Sequence, residues 1–219
     1  MILDRPWERL DTERQVEVPW LLAHLRAQAA AHGGPIARLL DVGGTDSPYL
    51  AWLPQYAATV AVLDPRPGAF PPAGVRTLRG ALGTGERLIL GAPYAGVTCI
   101  SVLDHVGLAA YGQPADPGQL ARAVADLLRL TAPGGTLYLT VPTGRDLLTT
   151  HPGGGQRVFS RASLAALFPA AAWAWADERC WRLVDGEYVP VTVDACDAEE
   201  YAGHRAASVR ALALVRMGA

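Results

Sequence analysis

The stretch SVLDHVGLAAYGQPADP (101–117) sets Asp104 and His105 directly after an apolar run, with Tyr111 six residues further on. A histidine of unperturbed pKa about 6.5 can take a proton from an acceptor hydroxyl at neutral pH. The adjacent carboxylate can orient its ring or a polar group of a substrate. A tyrosine can close a pocket by hydrogen bonding or by packing on a cation. A second group of residues is DVGGTDS (41–47). Gly43 and Gly44 let the backbone approach a ligand that a Cβ would block. Free N–H groups at the next helix start would face that ligand. Asp64 ends a later apolar run, some twenty residues past Gly44. An acid at that place can accept hydrogen bonds from both hydroxyls of a ribose. Arg145 and His151 follow a fifth run, and an arginine there suits a substrate carboxylate or phosphate.

These residues need elements that bring them together. ARLLDVGG (37–44), ATVAVLDP (58–65), VRTLRG (75–80), GVTCISVL (96–103) and TLYLTVP (136–142) are short apolar runs without strict alternation. Such runs separated by helices predict a parallel sheet covered on both faces. Residues 15–31, 49–57, 118–131 and 160–168 carry helical patterns, with Pro19 expected in the first turn of its helix and Ser160 expected to cap the last. HGGP (32–35) and APGG (132–135) are breaks, and HPGGGQ (151–156) reads as a loop. AWAWADERCWRLV, EYVPVTV and VRALALVRM (209–217) are β-rich. The predicted fold is α/β, doubly wound, with a mostly parallel seven-stranded sheet, an antiparallel last strand and helices on both faces. In open sheets of this kind ligands bind beyond the carboxyl ends of the strands, where the chemistry-bearing residues above lie.

The bulk composition narrows the chemistry. A chain of 219 residues with 50% apolar and 18% charged residues fits one soluble globular domain. The expected division is a helical N-terminal lid, 1–34, on a core, 35–219. A net charge of −2 offers no basic field to nucleic acid or to an anionic membrane. No apolar run reaches the roughly 20 residues that span a bilayer. All 19 basic residues are arginine, so Schiff-base chemistry, a lysine base and a P-loop lysine are excluded. Cys99, Cys180 and Cys196 share no metal-ligand spacing and read as reduced thiols of a cytoplasmic protein; no metal site is expected. The Ala, Arg, Gly and Pro bias points to a bacterial source.

LLDVGG, VAVLDP, a fourth strand ending in an acid and L-x-A-P-G-G-x-L-Y-L, in that order, resemble the class I S-adenosylmethionine-dependent methyltransferases. The resemblance implies S-adenosyl-L-methionine as cofactor. It puts the methionine end at Asp41, Gly43, Gly44 and Thr45, and the ribose at Asp64. Ala81, Leu82 and Ser101 complete the cofactor set. Thr45 and Ser47 stand where the usual turn has further glycines. Gly80, Ala81 and Leu82 stand where many members have Gly-Asp against adenine, so any adenine contact is by backbone or apolar groups. H-V-G-L-A-A-Y-G-Q-P-A-D-P further resembles the signature H-[VI]-G-L-x-x-Y-G-x-P-x-D-P of a small methyltransferase-like family of bacteria and nematodes.

The resemblance implies methyl transfer to a small-molecule acceptor, with O-methylation expected. His105 would be the base, aided by Asp104 and Tyr111, and Arg145 and His151 would hold the acceptor. Because positioning alone can supply about 7–11 kcal/mol of a barrier, a base is not obligatory. The missing glycines keep open a non-methylating member of the fold, a cyclase, isomerase or binding protein. A nicotinamide-dependent enzyme is disfavoured by the lack of G-x-G-x-x-G and of lysine. Sugar, polyketide, peptide and nucleoside acceptors, and a monomer or homodimer, all stay open at this stage.

Overall fold

The computed structural model describes residues 12–66, 71–84, 93–110, 112–151, 154–200 and 207–218. Tyr111 and the side chain of His151 lie outside the described residues. Five strands run parallel in the order β3-β2-β1-β4-β5, formed by Val75–Arg79, Val60–Asp64, Leu39–Val42, Tyr94–Ile100 and Thr131–Pro142. The sheet then continues through three antiparallel contacts, β5 to β10 (Ser208–Arg216), β10 to β8 (Trp173–Val184) and β8 to β9 (Glu187–Val191). It thus has eight strands, not the expected seven. The additional one is β9, which reaches its partner through the tight turn at Asp185 and Gly186, both at positive φ.

Adjacent residues of each central strand serve opposite faces, so one strand feeds two cores. Leu39, Val60 and Val62 pack with Val18, Leu21 and Leu25 of α1 (Arg14–Ala31). Leu40, Ala61 and Leu63 pack on the other face with Ala123, Leu127 and Leu130 of α2 (Gln119–Leu130) and Leu164 of α3 (Arg161–Leu167). Burial on both faces is why the strands read as unbroken apolar runs. Truncating fully buried Leu25 to alanine would cost about 2–5 kcal/mol. The described part of the N-terminal segment is therefore a core helix over the sheet as well as a neighbour of the strand ends. Pro19 falls in its second turn rather than its first. Trp20 Nε1 donates to Asp177 Oδ2 at 3.1 Å, tying the helix to β8.

Ser160 caps α3 as its sequence implies, its Oγ accepting from the Ser163 N–H at 3.1 Å. A second short helix, α4 (Val193–Asp197), is capped in the same way by Thr192. Two local expectations change. The Pro133-Gly134-Gly135 turn lies inside β5, which starts at Thr131 directly after α2 and shifts register opposite Tyr94 and Gly96. The HPGGGQ segment is not a simple loop: β6 (Leu147–His151) and β7 (Gly154–Val158) form a two-stranded hairpin. No helix among the described residues is long and apolar enough to cross a membrane.

Candidate functional site

The carboxyl ends of β1, β2, β3 and β4 open on one cavity of about 260 Å³. The turn after β1 supplies Gly43, whose φ of +73° suits glycine. A Cβ there would sit 2.6 Å from Val102 Cγ2 on the cavity wall. The bare backbone is what keeps this corner open. Asp64, the last residue of β2, also lines the cavity. Its Oδ2 accepts from the Thr45 N–H at 3.3 Å, which joins the ends of β1 and β2 directly. Arg66 bonds the same carboxylate twice through its side chain and once through its backbone. Burial would raise the Asp64 carboxyl, but these bonds outweigh it and hold the group below the ordinary carboxylate range.

Ala81 and Leu82 after β3, and Ser101 after β4, line the cavity. Ser101 adopts a φ of +48°, uncommon for a residue with a side chain. Its Oγ donates to Glu17 Oε1 at 2.6 Å, and Arg14 NH1 donates to Glu17 Oε2 at 2.6 Å. The same Arg14 nitrogen reaches the Ile100 carbonyl at 3.3 Å. The first turn of α1 thereby brings a guanidinium to the cavity, balanced by a fully buried carboxylate. Burial opposes the Arg14 charge, and Glu17, Tyr49 and Glu13 together more than compensate, so the group stays protonated. Sequence reasoning missed Arg14 and Glu17. The one available signal was an acid and an arginine at i, i+3 on an otherwise apolar helix start.

Three expected cofactor residues take other places. Asp41 is fully buried beneath the turn and is not on the cavity wall. Its Oδ1 accepts from Tyr49 at 2.9 Å and from Thr98 Oγ1, while Oδ2 has no partner. Burial pushes its carboxyl up to about 7 despite the two hydrogen bonds. Gly44 and Thr45 likewise shape the turn without lining the cavity; Gly44 is buried and Thr45 offers its N–H to Asp64.

His105 lines the cavity, yet its nitrogens are engaged elsewhere. Nδ1 faces the Gly155 carbonyl at 2.8 Å, and Nε2 lies 3.2 Å from Asp104 Oδ2. A nitrogen facing a carbonyl must donate, and the other ring nitrogen is directed at Asp104. Both nitrogens are thus turned to protein groups and away from the cavity, and the residue expected as a general base stands in this structure as a tether. Asp104 is fully buried, accepts from Gln156 Nε2 at 3.0 Å, and is raised by burial against the opposing pull of His105 and Gln156. The Arg157 N–H donates to the Asp104 carbonyl at 2.9 Å, and the Arg157 guanidinium bonds the Val106 carbonyl. Together these bonds dock the β6–β7 hairpin on the segment after β4.

Arg145 is corrected as well. It is exposed, pairs with Glu200 Oε1 at 2.9 Å on the surface, and does not line the cavity. Among the described residues no group of His, Cys, Asp and Glu could hold a metal ion.

A family model described as "Caenorhabditis protein of unknown function, DUF268" matches residues 91–178, which include the 101–117 stretch and the hairpin. No curated protein matches the chain. Among solved structures, the 1,6-didemethyltoxoflavin-N1-methyltransferase of Burkholderia thailandensis, with bound 1,6-didemethyltoxoflavin and S-adenosylhomocysteine, is similar with a TM-score of 0.59 at 19% identity, over 89% of this chain and 77% of that one. The N-methyltransferase NodS of Bradyrhizobium japonicum WM9, in complex with S-adenosylhomocysteine, gives 0.58 at 13% identity, over 98% and 93%. CalS10 of Micromonospora echinaspora, an S-adenosylmethionine-bound amino pentose methyltransferase involved in calicheamicin biosynthesis, gives 0.53 at 17% identity, over 90% and 89%. The chain has the fold of S-adenosylmethionine-dependent methyltransferases.

Proposed function

We propose that the protein is a methyltransferase that uses S-adenosyl-L-methionine to methylate a small molecule. The observation that carries this reading is the pairing of Asp64 with the Gly43 turn across the Thr45 N–H, at the mouth of one cavity. A carboxylate at the end of β2 suits a ribose diol, and a bare backbone beside it suits the amino-acid end of the same ligand. Arg14 adds a cation for that ligand's carboxylate. Ala81 and Leu82 offer apolar contact to a base.

The residues fit the cofactor on their own geometry. Gly43 keeps a corner clear that a Cβ would fill against Val102, and the two side-chain bonds on Asp64 are exchangeable. When bound, the cofactor supplies a methyl group on a sulfonium, an electrophile that needs no further activation. The chain's part is to hold and orient. Asp64 accepts the hydroxyl hydrogens, Arg14 pairs with the carboxylate, and Gly43 gives close approach. Asp104 and His105 tie the hairpin to the segment after β4, which lines the cavity.

The expectation of O-methylation loses its base with His105. The site suits an acceptor whose attacking atom is nucleophilic once its proton has gone to solvent, an unprotonated amine nitrogen or a thiolate, with positioning supplying the acceleration. The test is transfer of a labelled methyl from S-adenosylmethionine to a panel of amine, thiol and hydroxyl acceptors. Turnover restricted to amines or thiols fits this reading. Turnover of unactivated hydroxyls alone overturns the acceptor assignment. Tight cofactor binding with no turnover on any acceptor favours the non-methylating alternative.

A further inference from the structure

Every acceptor position of the Asp64 carboxylate is used in this structure. Oδ1 accepts from the Arg66 backbone N–H at 2.9 Å and from Arg66 Nε at 3.0 Å. Oδ2 accepts from the Thr45 N–H at 3.3 Å and from Arg66 NH2 at 2.9 Å. A carboxylate has about four lone-pair sites, so none is left for a ligand. The four bonds are not equivalent. Two come from backbone groups that the turns hold in place. The other two come from one guanidinium on the cavity wall, on a side chain 34% exposed. That fork offers two adjacent N–H donors, one to each oxygen. Two vicinal hydroxyls offer the same pattern in the same place.

We infer that Arg66 is a built-in competitor for the diol, a selectivity element that fills the ribose position until a ligand with two adjacent hydroxyls displaces it. The inference rests on the assignment of Asp64 to a ribose. The displaced guanidinium keeps a partner, because its NH1 already lies 3.1 Å from Asp46 Oδ2, a side chain 68% exposed beside the same cavity. The exchange therefore replaces two hydrogen bonds by two, without stranding the cation. A ligand that lacks the diol leaves Arg66 where it is.

Isothermal titration with S-adenosylhomocysteine tests this on wild type, Arg66→Ala and Arg66→Lys. Because a partly exposed pair is screened, Arg66→Ala is expected to tighten binding by about three- to tenfold. Arg66→Lys, which cannot form the fork, lies between. The 2′,3′-dideoxy analogue of the same ligand gains nothing from either substitution. Equal or weaker binding of S-adenosylhomocysteine by Arg66→Ala overturns the inference alone, as does an equal gain with the dideoxy ligand. A failure of all three proteins to bind S-adenosylhomocysteine overturns the proposed function and this inference with it. Should Arg66→Ala unfold, Arg66→Lys and an NMR titration of the Asp64 carboxyl carbon replace it. Release of that carboxyl toward its ordinary range in ligand-free Arg66→Lys supports the competition, and no change contradicts it.

Discussion

A side-chain carbon added to Gly44 would stand 1.5 Å from Oδ2 of Asp41. The acid of the first strand and the second glycine of its turn are thus in direct contact, and the carboxylate sets the path of the backbone from below. Asp41 does not line the cavity; its carboxylate lies against the turn that carries Gly43 and the Thr45 N–H. Gly44→Ala is expected to destabilise the fold by about 3 kcal/mol or more, because neither backbone nor a doubly bonded carboxylate can yield. In an Asp41→Ala background the same substitution is expected to cost much less. Chemical denaturation of the four proteins of this cycle checks the coupling.

The Asp41 carboxyl also sets a pH dependence. Its folded value is about 7, above the ordinary value of an unfolded carboxylate. The folded state then binds more protons than the unfolded state between the two values, so its contribution to stability falls as pH rises toward 7. Asp41→Asn keeps an oxygen for Tyr49 and Thr98 and never ionises. Its melting temperature relative to wild type is expected to rise between pH 4 and 8, by an amount on the order of 1–3 kcal/mol in stability. A difference that stays flat with pH removes the assignment.

His105 is expected to act on structure. His105→Ala removes the bond to Gly155 and leaves Asp104 with one partner fewer. The expected loss is about 1–3 kcal/mol of stability, with faster amide exchange in residues 154–158. The pH–rate profile of methyl transfer is expected to keep its shape. Loss of one limb of that profile in the variant would restore the base.

The strand ends were the legible part of this chain. LLDVGG and VAVLDP announce buried parallel strands because both faces of each are apolar, and Gly43 and Asp64 follow them into one cavity. The hairpin was not legible. The glycine-rich HPGGGQ stretch reads as a loop, while the strands carry Thr149 and Arg157 instead of an apolar face. The role of His105 was hidden for the same reason, since its partner is a carbonyl of that hairpin. Arg145 fits a ligand by type and by place in the order of elements, and only its exposed pairing with Glu200 removes it. Arg14 and Glu17 carry only the weak signal of their i, i+3 spacing; what makes them matter is that α1 begins against Ile100 and Ser101.

Arg14 is expected to hold the amino-acid end of the cofactor. Arg14→Leu should weaken S-adenosylhomocysteine by about tenfold, the scale of one charge-assisted hydrogen bond. Binding of 5′-methylthioadenosine, which lacks the amino-acid end, should stay unchanged. Equal losses for both ligands would show a collapse of the cavity instead of a lost contact.

The most direct measurement is the affinity of S-adenosylhomocysteine for wild type and for Asp64→Ala by isothermal titration, with folding of both checked by thermal melting. The account predicts clear one-to-one binding by wild type and a loss of about thirtyfold or more in the variant, the scale of two charge-assisted hydrogen bonds. Undiminished binding by a folded Asp64→Ala protein, or no binding by wild type, would contradict it.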